Sequence, residues 1–476
     1  MDLRWKDEMV QTLAGREQLS VPIEGDIPLP AGRSCTALLG AQGDIGRCTV
    51  ECGDSIRILG DVRVELLCEE GEESFSFLAR SPFSHTLEQK ADEARVACAL
   101  GELALSLQDG SIHFTAVVQL DLALLSTRAL RTLDASEGVE CRRQELRLSR
   151  RSVAARDTVD IREEIAAQGI DAVRACFGAA LLQDVSVVSG VATVSGTLYL
   201  CMLSANDAGA LCQSMQQAPF SVQMDCPQAA TEGQCELCAL HVHAVGEGFG
   251  ILAVEAQLAL TLYAEHAQTF SLPLDAYAPG MPFKAVRTSL CAVRDASVLY
   301  LRHSLSETLG IPESMPEAAR VLCAFAQATV TEAPENGAPL IGILDVRVVY
   351  ESASGTRFVF TEALPFEIPV PTDAGTVLSR VTALPVCGGA GRTLQIAFTL
   401  CAQLCTIHTE EAEVVTGVEE CAPKPAFSGL MVCFAGEGES LYDIAKRYDT
   451  TRTAIRSIAP ELPETLSEGQ RVVMLL

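Results

Sequence analysis

Residues 60–68 read Gly-Asp-Val-Arg-Val-Glu-Leu-Leu-Cys, a run in which apolar side chains at every second position alternate with mostly charged ones. Successive side chains of a β-strand point to opposite faces, so the alternation predicts a strand that buries one face. An acidic turn containing Gly71 follows, and the alternation resumes up to the pair Pro82-Phe83. Two such runs joined by a short glycine turn are typical of an antiparallel hairpin.

The same order of features occurs three times along the chain. Each alternating run leads through a polar turn to a Pro-Phe pair, and a glutamine inside an apolar run follows each proline after 37 or 38 residues. The three pairs are Pro82-Phe83, Pro219-Phe220 and Pro365-Phe366, and the three glutamines are Gln119, Gln257 and Gln403. The alternative is that these features recur by chance in a β-rich chain. The matched spacing between the Pro-Phe pairs and the glutamines favours a true repeat. Proline-to-proline distances of 137 and 146 residues make each repeat a whole domain.

Two kinds of segment separate the alternating runs. Residues 161–182 and 305–325 show mixed or helix-like patterns, and we expect one or two short helices per repeat there. Residues 141–151 contain five arginines with interspersed glutamate and leucine. We interpret this run as a solvated connector between the first two repeats, and a docking patch for an acidic partner is the alternative.

A change of composition near residue 420 marks a separate C-terminal unit. Pro423 and Pro425 indicate a linker, after which residues 430–476 show a short β-α-α-β pattern. Ser440 and Thr451 are residue types that cap helix N-termini. The predicted elements are a strand at 432–434, helices at 441–448 and 451–458, and a strand at 469–475.

This C-terminal segment resembles the LysM domain over its full length. The family's opening G-D-T-L, its I-A-x-x-Y and its closing P-G-Q-x-L are matched by Gly438-Glu439-Ser440-Leu441, by Ile444-Ala445 with Tyr448, and by Glu468-Gly469-Gln470-Arg471-Val472. The resemblance implies a ligand groove between the turn before the first helix and the loop after the second. Its residues here are Gly438, Glu439, Ser440, Leu441, Ile458, Ala459, Pro460 and Glu461.

The groove departs from the LysM pattern at two positions. Glu439 replaces the usual aspartate, and Ala459 stands where many members carry asparagine. Loss of that amide removes a hydrogen-bonding group and implies a more apolar groove, better suited to a protein surface than to a sugar. The alternative is that alanine at position 459 is a neutral substitution at a position that tolerates different residues. We expect Ala459 on an exposed loop, whereas Leu441 is either a groove anchor or a core residue of the first helix.

Upstream of this LysM-like segment, the three repeats resemble SPOCS domains, because each has an alternating run followed by Pro-Phe. SPOCS repeats followed by LysM are similar to spore morphogenetic proteins of the SipL type. The resemblance implies a non-catalytic structural adaptor in spore coat assembly, located in the mother-cell cytoplasm at the forespore surface, whose LysM domain docks on the coat-basement ATPase. Other coat proteins are candidate partners of the repeats. The alternatives are a cell-wall protein that binds peptidoglycan or chito-oligosaccharide, and a wall-targeted enzyme.

These patterns define the expected fold class and domain organisation. The fold class is mainly β with some α: three tandem antiparallel sandwich-like repeats followed by a small β-α-α-β domain. The expected divisions are an N-terminal segment at 1–14, repeat one at 15–132, a basic connector at 133–150, repeat two at 151–278, repeat three at 279–417, a linker at 418–429 and the LysM domain at 430–476.

Composition excludes several classes of function. The 476 residues include 35 Lys and Arg against 62 Asp and Glu, a formal charge of −27 that disfavours nucleic-acid partners. No run approaches the roughly 18 apolar residues of a membrane helix, so we expect no membrane insertion. Residues 1–8 alternate charges where a signal peptide would be apolar, which favours a cytoplasmic location. Most of the nineteen cysteines lie in apolar runs and are expected to be reduced thiols, with no disulfide joining the repeats.

Motifs for catalysis or cofactor binding are absent from the sequence. It contains no P-loop, no zinc-protease helix and no nucleophile elbow, so we expect neither enzymatic activity nor a cofactor. Cys235, Cys238, His241 and His243 form one candidate zinc site. In a strand, however, the two cysteines would point to opposite faces, and we therefore predict that they bind no metal.

Overall fold

The computed structural model describes residues 3–475 except 72, 109, 135–137, 167–169, 171, 206–210, 227–232, 249, 333–337, 372–374 and 423–427. Within these residues the chain forms twenty-one strands and two short helices. The fold is therefore mainly β, as the alternating patterns predicted. The predicted turn at 206–209 and the two prolines of the predicted linker lie outside the described residues.

The strands fall into three consecutive units and a tail. Unit one contains β1 (Trp5–Pro28), β2 (Ala37–Ile45), β3 (Thr49–Cys52), β4 (Ile56–Glu70), β5 (Glu73–Leu87), β6 (Glu93–Gln108) and β7 (Ser111–Leu133). Unit two contains β8 (Glu140–Ala166), β9 (Ala172–Val188), β10 (Val191–Ala205), β11 (Leu211–Asp225), β12 (Gly233–Gly248) and β13 (Ile251–Tyr277). Unit three contains β14 (Phe283–Gly310), β15 (Arg320–Glu332), β16 (Leu340–Glu351), β17 (Arg357–Ile368), β18 (Thr376–Gly388) and β19 (Thr393–Glu420). The tail contains β20 (Leu430–Phe434), α1 (Leu441–Arg447), α2 (Arg452–Ile458) and β21 (Arg471–Leu475).

Each unit has the same strand pairing. Its long first strand pairs antiparallel with its long last strand, which also pairs with the strand before it. The remaining strands form a second antiparallel sheet, with β4, β10 or β16 at its centre. A single register contact between β1 and β14 joins the first sheets of units one and three into one six-stranded sheet.

The three Pro-Phe pairs occupy the same register position in their sheets. Each phenylalanine lies directly opposite a glycine of the central strand, in the pairs Gly60 with Phe83, Gly196 with Phe220 and Gly342 with Phe366. A Cβ atom added to any of these glycines would lie between 2.4 and 2.7 Å from the Cζ atom of the opposite ring. The ring therefore covers bare backbone, and the position requires glycine.

Every unit has its own apolar core between its two sheets. A further cluster contains residues of all three units, including Leu67, Phe177 and Phe325. The rings of Phe177 and Phe325 meet edge to face, with centroids 5.5 Å apart. The units consequently pack around shared buried surface, which fixes their relative positions.

Two local predictions were wrong. The described parts of the expected helices at 161–182 and 305–325 are not helical: 161–166 and 172–182 lie in β8 and β9, 305–310 and 320–325 lie in β14 and β15, and 311–319 is a turn-containing connection. β8 pairs along its whole length with β13, and such long-range pairing overrides the weak helical spacing of Ile161 and Ile165. Among the described residues, neither helix is long and apolar enough to cross a membrane.

The predicted basic connector is also incorrect. Residues 141–151 belong to β8, where Leu146, Leu148 and Arg151 are buried while the side chains between them are mostly exposed. Most of the charged residues thus lie on the outer face of a half-buried strand, whereas Arg151 is buried. Two expected divisions begin earlier than predicted. Unit one begins with β1 at Trp5 and not at residue 15, and unit two begins with β8 at Glu140 and not at residue 151.

Candidate functional site

The tail has the predicted order of strand, helix, helix and strand. β20 and β21 pair antiparallel along their whole length. Ser440 caps α1: its hydroxyl accepts a hydrogen bond from the Asp443 amide, and the Asp443 carboxylate accepts one from the Ser440 amide. Thr451 caps α2 by accepting a hydrogen bond from the Ala454 amide. Both predicted caps are confirmed, since each satisfies an amide that a helix start leaves without a partner.

The two central apolar residues of the predicted groove are interior. Leu441 has no exposed surface, and Ala459 is only 8% exposed. Both pack in the core of the tail with Ile444 and Ile455. Leu441 is therefore a core residue, which is one of the two interpretations that the sequence allowed. The expectation that Ala459 lies on an exposed loop was wrong, because its amide donates to the Ile455 carbonyl and draws the residue against α2.

Two polar residues of the predicted groove, Glu439 and Ser440, already have partners within the chain. Besides Asp443, the Ser440 hydroxyl accepts a hydrogen bond of 3.3 Å from Arg142 of β8. The Glu439 carboxylate accepts a hydrogen bond of 2.8 Å from the Gly436 amide and forms an ion pair with Arg447. The remaining groove residues, Gly438, Ile458, Pro460 and Glu461, are exposed. The structure therefore leaves only the α2 side of the groove with accessible apolar surface.

Three ion pairs between described residues hold the tail against unit two. They join Arg142 to Asp443, Asp275 to Lys446 and Glu140 to Arg452. Burial alone would raise the pKa of Asp275, but hydrogen bonding to Lys446 and to Arg287 outweighs burial and lowers it. Asp275 therefore stays ionised as the anchor of this contact.

Aromatic packing accompanies the ion pairs. The Tyr277 hydroxyl donates a hydrogen bond of 2.9 Å to the Thr450 carbonyl, and its ring meets Tyr442 edge to face with centroids 5.3 Å apart. The guanidinium of Arg142 lies 4.8 Å from the centroid of the Tyr442 ring. Part of the basic run thus binds the chain's own tail, and the start of α1 faces unit two.

The outward face of the tail sheet is a candidate binding surface that was not predicted from the sequence. Leu430, Val432 and Phe434 of β20 are 70%, 47% and 64% exposed, and Leu475 of β21 is 62% exposed. We call these four residues the tail apolar face. The signal was present in the sequence, because β20 is apolar at every position and a two-stranded sheet can bury only one of its faces.

The candidate zinc residues do not converge. They lie on β12, where Cys235 is buried in the core of unit two and Cys238 lies 3.3 Å from a guanidinium nitrogen of Arg380. His241 and His243 stack on each other with centroids 6.0 Å apart. Among the described residues, no three His, Cys, Asp or Glu side chains are grouped so that they could hold a metal.

The chain matches no known protein-family model, no curated protein and no solved structure. The resemblance to LysM and SPOCS domains therefore stays a prediction that rests on the residues quoted above.

Proposed function

We propose that the chain is a non-catalytic structural adaptor in spore coat assembly, and that its tail docks on the coat-basement ATPase in the mother cell. The single observation that carries the docking role is the tail apolar face. The identity of the binding partner and the location in the mother cell are inferred from the resemblance of the tail to LysM and of the three units to SPOCS domains. The units act as a rigid platform that presents the tail.

The distribution of exposed apolar side chains supports docking through the tail. Of fifteen large hydrophobic side chains exposed in the described part of the chain, five lie between residues 430 and 475. Contiguous apolar surface of this kind is typical of sites that bind proteins. The ion pairs with unit two hold α1 inward, so the opposite surface of the tail remains accessible.

The same geometry favours a protein partner over a glycan. Sugar recognition needs hydrogen-bonding groups that are free to contact hydroxyl and acetamido groups. Ser440 and Glu439, which the LysM resemblance places in the groove, are already engaged within the chain. Phe434 is the only aromatic member of the tail apolar face, whereas the other three members are aliphatic.

The state of the cysteines supports a non-catalytic role. All nineteen are free thiols, and many are buried. Burial raises the pKa of Cys201 and Cys401 to about 12, and it also raises the pKa of Cys176 and Cys323. Such thiols remain protonated near neutral pH, and a protonated thiol is a poor nucleophile. They act as small apolar residues of the core.

Binding of the purified full-length chain to the purified coat-basement ATPase tests the proposal. Phe434→Ser should weaken binding at least about tenfold, because a large aromatic anchor would be lost from the contact. Val188→Ser is the matched control, since Val188 is 69% exposed at the end of β9 and should be neutral. Tight binding of chito-oligosaccharide with no affinity for the ATPase would contradict the adaptor role and favour the cell-wall alternative.

A further inference from the structure

A cavity of about 470 Å³ lies where the three units meet. Its walls come from β3 and β6 of unit one, from β8, β12 and β13 of unit two, and from β18 and β19 of unit three. This volume is in the range of cavities that hold small molecules. The cavity is separate from the tail and plays no part in the proposed docking.

The lining of the cavity is unusually basic for an acidic protein. Six arginines face three carboxylates there, although acidic residues outnumber basic ones by 62 to 35 in the whole chain. The arginines are Arg47, Arg95, Arg150, Arg151, Arg156 and Arg380, and the carboxylates are Asp92, Glu93 and Glu236. An excess of cations in a walled site concentrates the electrostatic field on an anion.

Two of these arginines have anionic partners that fix the walls. Arg95 forms an ion pair of 2.6 Å with Glu93. Arg380 forms an ion pair of 2.6 Å with Asp44 and donates a hydrogen bond to the Ile45 carbonyl. These contacts hold two guanidinium groups in defined positions and neutralise them.

Arg151 has no such partner. It is 5% exposed, and all three of its guanidinium nitrogens lack a hydrogen-bond partner among the described residues. Its nearest neighbours include the ring of Tyr263, whose centroid is 5.3 Å from the Arg151 Cζ atom, and the second cation Arg95 over the same ring. Burial lowers the pKa of Arg151 and Arg95 lowers it further, whereas the carboxylates of Glu236 and Glu265 act in the opposite direction without forming an ion pair with it. A buried guanidinium with neither a hydrogen bond nor an ion pair is strongly unfavourable, and a negatively charged ligand in the cavity would supply both.

We propose that this cavity binds a small polyanion carrying two or more phosphate or carboxylate groups, with Arg151 as its central ligand. Guanidinium groups form paired hydrogen bonds with both kinds of group. The strands enclose the Arg151 guanidinium, so an acidic protein surface could not reach it, and a small anion in the cavity contacts it once the side chain turns toward the cavity. The exposed Arg150 and Arg156 bind the outer part of the ligand.

Titration calorimetry and thermal melting of the full-length chain with pyrophosphate and with citrate test this site. Saturable binding and a rise in melting temperature are expected for one or both, and the preferred probe identifies the ligand as phosphate or carboxylate. Arg151→Met should weaken binding at least about tenfold and raise the melting temperature of the ligand-free protein, because it removes an uncompensated buried charge. Arg174→Met, at an exposed position of β9, makes the same change in charge and should leave the affinity unchanged.

Arg156→Met is a second variant that preserves the buried packing. It should weaken binding a few fold, and it therefore tests the site even if Arg151→Met does not fold. Absence of saturable binding of both probes at millimolar concentration would overturn the proposal. It would also be overturned if Arg174→Met weakened binding as much as the cavity variants, because the affinity would then reflect net charge alone.

Discussion

Gly342 of β16 lies directly opposite Phe366 of β17, and the phenyl ring covers the glycine where a side chain would stand. An added Cβ atom would lie 2.4 Å from both the ring Cζ atom and the Thr329 carbonyl oxygen. The equivalent glycines of units one and two meet their phenylalanines in the same way. The repeated Pro-Phe pair thus marks a packing position at which each sheet brings a ring onto bare backbone.

The first prediction concerns this position. Gly342→Ala should destabilise the protein by about 1–3 kcal/mol, because ring and backbone must both move to admit a methyl group. Gly310→Ala is the control, since a Cβ atom there meets nothing within 4 Å. Chemical denaturation followed by fluorescence compares the two variants. Equal stability of the two would show that the sheet adjusts freely and that the position does not require glycine.

The second prediction separates core from binding surface in the tail. Leu441→Ala should destabilise the tail by about 2–5 kcal/mol, since it leaves a cavity beside Ile444 and Ile455. Leu475→Ala, at an exposed position, should change stability by less than about 0.5 kcal/mol. Hydrogen exchange in α1 and α2 measures the difference. If Leu441→Ala left hydrogen exchange unchanged but abolished partner binding, Leu441 would be a binding residue of the groove and not a core residue.

The third prediction concerns the contact between tail and unit two. Asp275→Asn should increase hydrogen exchange in α1, because Lys446 and Arg287 would lose their shared anion in a largely buried site. The pKa of Asp275 is lowered in the folded protein, so its stabilising contribution is present above its ordinary pKa of 3.8 and is lost as the pH falls below that value.

Glu468→Gln, at an exposed position of the tail, is the control for Asp275→Asn. It removes one negative charge from the tail itself and should leave exchange in α1 unchanged. If Asp275→Asn protected α1 as well as the natural residue does, the ion pairs would not hold the tail in place.

The fourth prediction is a pH dependence. Burial raises the pKa of Glu65 from its ordinary value of 4.5 to about 7, although a hydrogen bond from Ser76 acts to lower it. The folded protein therefore binds a proton more tightly than the unfolded chain, and stability falls as the pH rises from 4.5 to about 7. Glu65→Gln should stabilise the protein by roughly 1–3 kcal/mol at pH 8 and have little effect near pH 4.

Melting curves across this pH range compare Glu65→Gln with Glu461→Gln, a change at an exposed position. Only the first variant should change the slope of stability against pH. Parallel curves for the natural protein and Glu65→Gln would mean that the Glu65 carboxylate ionises normally in the folded state.

Local side-chain patterns predicted much of the fold. Alternation along 60–68 predicted β4, the turn at Gly71 predicted the hairpin of β4 and β5, and Ser440 and Thr451 predicted the two helix starts. These features depend on chain neighbours, because side-chain direction and helix capping are decided within a few residues. The same local reasoning failed for β8, whose conformation is decided by pairing with β13 about a hundred residues away.

Short-range patterns in the sequence were sufficient to predict the mainly β class, the hairpin at Gly71 and the caps of the tail helices. Long-range packing establishes which tail residues are interior, how the tail contacts unit two, and that arginines of all three units converge on one cavity. Arg95, Arg151 and Arg380 are far apart in the chain and meet because three separate cores pack around shared buried surface. The burial of a residue and the contacts between charges that are distant in the chain depend on this packing, so they cannot be predicted from short-range sequence patterns.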